Sequence, residues 1–410
     1  MFLVQTADME RVVLSPRYLP ELSSLPEEVL SLREAMVQRH LGNFTTIDVI
    51  LTSHLQSDVC RLNLTQNLGS LIPQIHEETI FWLSRAIPDG STSAVAVRAY
   101  ETILRTIAGV TSRVFVGLPR CRDEKWLDTA VNYTMDVFHV SSELRPYPPF
   151  LCRFVAPWLA STRRLQEHVR VASDCFGSIF AQRLAETDGE GERANDMFQW
   201  MADSAKGVDR NTDVLIRKML FLTLAAVHTS TMSTTHALFD LCAHPEYIEP
   251  LRREIGESVG ANGWSLVAIN ELKLLDSFIK ESQRLNHPGL PGTFISMPTS
   301  AIAHDPDNYP DPEQFDAFRF YRKRQSSESE VNRHQFVSTG RKNLAFGHGK
   351  FACPGRFYAA AQIKMVLACI LVKYDVSFPG QQTARPANSF FGESISPDRR
   401  QIVVFKSRGE

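Results

Sequence analysis

The chain has 410 residues, 43% hydrophobic and 22% charged, with a formal net charge of -2. A chain of this kind buries a large core, and nothing in its near-neutral balance suggests a nucleic-acid partner, which would normally need a basic face. Its seven cysteines are scattered, with no C-x-x-C pair, which argues against a disulfide framework or a structural zinc site.

From the N-terminus, Met1 to Gln5 lacks the basic flank and apolar run of a signal peptide, and no run of 18 apolar residues occurs anywhere. Helical periodicity predicts helices over Glu27 to His40, Gln66 to Ala86, Ser93 to Phe115 and Leu165 to Glu186. Between them, Leu144 to Leu159 (LRPYPPFLCRFVAPWL) is apolar, aromatic and broken by proline. It reads either as a surface that touches a membrane or lines a channel, or as a packed interhelical loop. Val208 to His244 contains neither Gly nor Pro, so a helix there would span about 55 Å and cross the middle of a large domain. Strand signals are few, at Phe294 to Met297 and Gln401 to Phe405. Turn-rich loops fall at Thr187 to Asp196, His304 to Asp311 and Gln325 to Gly340, and a final helix is expected over Arg356 to Tyr374. The sum is a mainly α fold with a small β portion, read as one domain over residues 1–410.

Three groups of residues carry chemistry. The first is Phe346-Gly347-His348-Gly349-Lys350-Phe351-Ala352-Cys353-Pro354-Gly355, which reads F-x-x-G-x-x-x-C-x-G ahead of a helix. A lone cysteine among glycines suits an iron-ligating thiolate, because glycine lets backbone N–H groups turn toward the sulfur. The second is Glu281 and Arg284, an E-x-x-R pair on one helix face. Glu167/Arg170, Glu190/Arg193, Glu249/Arg252 and Glu330/Arg333 have the same spacing. Only Glu281/Arg284 precedes a segment such as Pro312-Glu313-Gln314-Phe315-Asp316-Ala317-Phe318-Arg319. The third is Ala225-Ala226-Val227-His228-Thr229-Ser230 on the long helix, where a hydroxyl and a histidine are adjacent.

Together, and in this order, these motifs resemble the cytochrome P450 family of haem-thiolate monooxygenases. The resemblance implies that Cys353 is the axial iron ligand, with Phe346, Gly349 and Gly355 shaping its loop and Arg61 reaching a haem propionate. Glu281, Arg284 and Arg319 would form a buried ion network behind the loop. Thr229 would serve oxygen activation, with His228 in place of the family's usual acid, as in certain fungal enzymes that oxidise terpenoids and related natural products. Further implications are a lipophilic small-molecule substrate, O2, an NADPH-dependent reductase and an endoplasmic reticulum membrane location on the cytosolic side. Phe390-Phe391 resembles a substrate-pocket loop, and Arg341, Lys342, Lys350 and Arg356 a docking face for an acidic electron donor.

The chain departs from the family in three places. Phe351 stands where an Arg or His commonly meets a propionate. The chain is read as lacking the anchor helix and the first helix-and-strand segment. Only Leu285 to Met297 separates Arg284 from Pro298, where the family inserts a strand and hairpin. His228 in the acid's place leaves open a haem-thiolate isomerase or dehydratase that needs no reductase. The shortened link leaves open an inactive haem-binding copy.

Overall fold

The computed structural model describes residues 1–5, 10–87, 94–186, 193–286, 295–380, 382–391 and 394–409. Helices dominate. The principal ones are α1 (Leu32–Arg39), α2 (Leu68–Ala86), α3 (Ala99–Val116), α4 (Glu124–Leu144), α5 (Pro149–Val155), α6 (Ala160–Ala185), α7 (Thr212–Ala243), α8 (Ile248–Asn262), α9 (Lys273–Leu285), α10 (Arg319–Arg324) and α11 (Arg356–Lys373). The uninterrupted Val208 to His244 segment becomes α7, preceded by a 3-10 turn at Gly207–Arg210. Asn211 caps α7 by accepting from the N–H groups of Asp213 and Val214, which answers two of its free donors. Pro245 stands just beyond its end, where helix cannot easily continue. Buried almost throughout, α7 packs against α3, α4, α6, α9 and α11 and is the axis of the main hydrophobic core.

Local chemistry shortens two of the expected helices. The first begins at Leu32, because the Ser31 hydroxyl accepts from Glu34 N–H at 3.1 Å, while Pro26 takes the preceding residues into a turn. The third begins at Ala99, because Val95–Arg98 alternates and pairs as a strand. That strand, β3, forms an antiparallel sheet in the order β3-β8-β5 with β5 (Tyr374–Ser377) and β8 (Ile402–Ser407). A second sheet has the order β1-β2-β4, from Phe2–Gln5, Glu10–Val13 and Ile295–Ser296. There β2 and β4 run parallel and β1 is antiparallel. Strands β6 (Ser389–Phe391) and β7 (Ser394–Ser396) form a small hairpin with Phe390 opposite Ile395. Most of the Leu285 to Met297 link and of the Thr187 to Asp196 loop lies outside the described residues.

The tightest helix contact is between α2 and α3. Trp82 of α2 donates to Glu78 at 2.9 Å, and Glu78, fully buried, also receives the Arg122 guanidinium. The indole thereby fixed lies across Gly109, where an added Cβ would stand 1.9 Å from Trp82 Nε1. Alanine at a helical glycine normally gains about 1 kcal/mol in propensity. Here Trp82 cannot withdraw without breaking its bond to a buried carboxylate, so strain outweighs that gain. Gly109→Ala is predicted to cost roughly 1–3 kcal/mol, read as a lower urea midpoint; an unchanged midpoint counts against this contact.

Candidate functional site

The loop before α11 folds back on itself. Cys353 N–H donates to Phe346 O at 2.8 Å, and Gly347 N–H to Leu344 O at 2.8 Å. Glycine is required at Gly347: φ is +70°, and a Cβ would stand 2.6 Å from Phe351 O. At Gly349 φ is +60°, with Ser23 3.2 Å from where a Cβ would lie. Arg356 begins α11 and returns its guanidinium to Cys353 O at 3.0 Å.

Cys353 is partly exposed as a residue, yet burial is the strongest influence on its thiol. Burial pushes its pKa up, while the Gly355 N–H aimed at the sulfur and the Arg356 charge pull it down. Cys60 lies close enough that the charge on Cys353 adds to burial in pushing its thiol up to about 12. Cys60 precedes Arg61, so the structure brings exposed Arg61 into the neighbourhood of the loop. Phe351 is half-buried, with the Lys350 ammonium 5.0 Å from its ring centroid.

Behind the loop stands α9. Glu281 is fully buried and accepts from Arg284 Nε at 2.9 Å and Nη2 at 2.7 Å, and from Arg319 Nε at 3.2 Å. The guanidinium groups spend their remaining donors on backbone carbonyls. Arg284 holds Ala303 and Pro312, and Arg319 holds Pro310, Asp311 and Gln314. Burial separates this pair from the same spacing elsewhere: Arg170 and Glu167 keep 61% and 52% of their side-chain surface, Arg284 and Glu281 only 3% and 0%.

One turn earlier on α9, buried Asp276 pairs with Lys364 at 2.7 Å and accepts from Phe336 N–H at 2.8 Å. Phe336 packs edge-on against Phe346, with centroids 5.2 Å apart. Helix α9 thus reaches the Cys353 loop through the Phe336–Phe346 contact, while Arg284 and Arg319 hold the stretch from Ala303 to Gln314. Lys280 beside it donates to Gln335 O at 2.6 Å, and burial lowers its pKa to about 7. Asp276, Lys280 and Lys364 carried no usable sequence signal, since buried lysines look like surface ones in a helical pattern.

On α7, an open stripe interrupts the buried surface: Phe221, Thr229 and Met232 are half-buried and Ala225 is exposed. Their i, i+4, i+4, i+3 spacing is one helix face. The Thr229 hydroxyl donates to Ala225 O at 2.7 Å, leaving its lone pairs toward the opening. The structure does not join His228 to Thr229. His228 Nε2 lies 2.8 Å from Val131 O, which can only accept, so that nitrogen carries the proton. Nδ1 then accepts from Tyr100 Oη at 3.3 Å. Burial holds the pKa of His228 below the usual range, keeping it neutral. With both nitrogens engaged, His228 can exchange a proton only with Tyr100, a partner 128 residues away that no local pattern reveals.

Of the basic residues near the loop, Arg341, Lys342 and Lys350 are exposed. Lys350 donates to Leu25 O, and Arg356 is committed to Cys353 O. Among the described residues, no group of three or more His, Cys, Asp or Glu side chains could hold a bare metal ion. A single sulfur with a backbone donor and a nearby cation fits a metal that brings its other ligands with it, as haem iron does.

Comparison with known proteins identifies the family. The cytochrome P450 family model matches residues 27–404. Cytochrome P450 monooxygenase AN1598 of Emericella nidulans is 37% identical, over 100% of this chain and 80% of the relative. Cytochrome P450 monooxygenase olcJ of Penicillium canescens is 38% identical, over 100% of this chain and 81% of the relative. An ent-kaurene oxidase of Fusarium fujikuroi is 34% identical, again over 100% and 81%.

Proposed function

The chain belongs to the cytochrome P450 family, and from that membership we propose which of its residues carry the chemistry and what it acts on. It is a haem-thiolate monooxygenase. When bound, haem would supply the chemistry for placing one atom of O2 in the substrate, with two electrons coming from a reductase partner. In our reading Cys353 supplies the thiolate, tempered by Gly355 N–H and Arg356. Phe346 and Gly349 keep the loop's shape, and Arg61 reaches a propionate. The observation that carries this reading is the loop closed by Cys353 N–H on Phe346 O, with the Gly355 N–H directed at the Cys353 sulfur. A reduced, carbon-monoxide-bound absorption spectrum tests it: a thiolate-ligated band is expected, and a band typical of histidine ligation would overturn it.

Thr229 presents its hydroxyl on the open stripe of α7, and we assign it proton delivery to the reacting oxygen. His228, engaged with Val131 O and Tyr100 Oη, is left out of that role. Thr229→Ala is predicted to lower product formed per NADPH by about tenfold or more, with hydrogen peroxide rising in its place. The carbon-monoxide spectrum should not change. Equal coupling in the variant would remove Thr229 from the mechanism.

The substrate is proposed to be a bulky lipophilic compound of terpenoid type made in fungal secondary metabolism. Several relatives are named for oxidising ent-kaurene, and the α7 stripe is lined by Phe221, Ala225 and Met232. An NADPH-dependent reductase is the proposed electron donor, docking near exposed Arg341 and Lys342.

The proposed setting is the cytosolic face of the endoplasmic reticulum membrane. Helix α5 and the turn after it expose Phe150 at 65%, Phe154 at 57% and Trp158 at 83%, while Cys152 and Ala156 face inward. A run of exposed aromatics beside Arg153 suits peripheral contact with a bilayer. By contrast α7, the one described helix long and apolar enough to cross a membrane, is mostly buried in the core. A triple Phe150→Glu, Phe154→Glu, Trp158→Glu variant is expected to lose flotation with phosphatidylcholine vesicles and keep its helical circular dichroism. Undiminished flotation would rule this surface out.

A further inference from the structure

We propose that Arg385, Asp240 and His236 are positioning residues that hold the β6–β7 hairpin over α7 and thereby fix one wall of the substrate space. The inference rests on the reading of the Thr229 face as that space. His236 lies two turns beyond Thr229 on α7, so the two share a face about 10 Å apart.

The Arg385 guanidinium reaches three ways at once. Its Nε donates to Asp240 Oδ1, its Nη2 to His236 Nδ1 at 2.8 Å, and its Nη1 to Asn388 Oδ1 at 2.8 Å and Pro386 O at 3.2 Å. Because arginine only donates, His236 Nδ1 must be bare and Nε2 must carry the proton. Nε2 in turn meets Ile395 O of β7 at 3.4 Å. Asn388 closes the arrangement by donating to Asn286 Oδ1, just past α9, at 2.7 Å. One side of the hairpin is therefore tied through Arg385 and Asn388, and the other through His236.

This arrangement is costly as a source of stability. Asp240 and His236 are each 1% exposed, and a buried ion pair is often no better than an apolar replacement. Burial and the Arg385 charge hold His236 neutral. What the network provides is register. Each strand of the hairpin has three residues, and an isolated hairpin of that size has marginal stability of its own. Ile395 is buried, but Phe390 opposite it is 74% exposed. With Ile395 the buried side and Phe390 largely exposed, the clamp is what sets the position of Phe390 relative to α7 in this proposal.

Two iron-coordinating probes of different size, imidazole and 4-phenylimidazole, test the proposal by absorbance titration of the haem-loaded protein. Arg385→Ala is expected to leave imidazole affinity within about twofold and weaken 4-phenylimidazole by about tenfold or more, because only the larger probe meets the wall. Phe390→Ala should weaken the same probe, and the double variant should be less than additive. Hydrogen exchange over residues 386–396 should accelerate about tenfold or more in Arg385→Ala. If Arg385→Ala fails to fold, Asn388→Ala removes one tie, leaves the Arg385–Asp240 pair, and should move exchange and 4-phenylimidazole affinity in the same directions. Unchanged exchange in the folded variants overturns the clamp. Faster exchange with both probes weakened equally, or neither weakened, overturns the wall. A wild-type protein without a thiolate-type spectrum removes the haem reading itself, and the wall with it, before any variant is compared.

Discussion

Cys353→Ala is expected to give a folded protein that has lost the thiolate-type carbon-monoxide band and all monooxygenase turnover. The loop is held by backbone bonds, from Cys353 N–H to Phe346 O and from Ala352 N–H to Gly349 O, and alanine preserves both. Cys353 is only partly buried as a residue, and alanine removes a single sulfur. Its removal should therefore cost roughly 1 kcal/mol of stability, too little to unfold a domain. The loss of function, in contrast, should be complete, because no other grouped side chains among the described residues could take over the metal. Circular dichroism and the reduced carbon-monoxide spectrum of the same sample separate the two effects. A normal band in the variant would falsify the assignment.

The largest stability effect is expected at Glu281. Glutamine there keeps the shape and removes the charge that balances Arg284 and Arg319, both nearly buried. An uncompensated buried charge costs about 3–5 kcal/mol. The damage should also spread, because the two guanidinium groups hold the carbonyls of Ala303, Pro310, Asp311, Pro312 and Gln314. This irregular stretch would otherwise leave polar groups unsatisfied. Urea denaturation measures the effect, and a wild-type midpoint for Glu281→Gln would mean that the network is not what holds this stretch.

The contrast between these residues and the rest shows what sequence can carry. A thiolate loop is local: its cysteine, its glycines and its phenylalanine all fall within ten positions, so spacing alone exposes it. The Glu281–Arg284 pair is likewise fixed by helix geometry, and Arg319 was found through the segment that contains it. The Arg385–Asp240 contact joins residues 145 positions apart and the Tyr100–His228 contact 128. Neither leaves a periodic trace, because each partner alone looks like an ordinary polar residue on a helix or loop. The short strands β1, β2 and β3 escaped for another reason. Four residues are too few to establish a period of two, and for β2 and β3 a pairing partner lies hundreds of residues away, as with Val95 and Phe405. His228 shows the converse limit. Its place beside Thr229 in the chain suggested joint action, but the helix turns its ring toward Val131 and Tyr100.

The exposure of α5 also gives the protein an optical gauge. It has five tryptophans; Trp82, Trp126 and Trp200 are buried, Trp264 is half-buried, and Trp158 alone is exposed. Aqueous quenchers such as iodide or acrylamide will reach Trp158 first, and a bilayer that takes up α5 will shield it. The fluorescence the enzyme already carries can thus test the proposed lipid contact of this face, without any attached label.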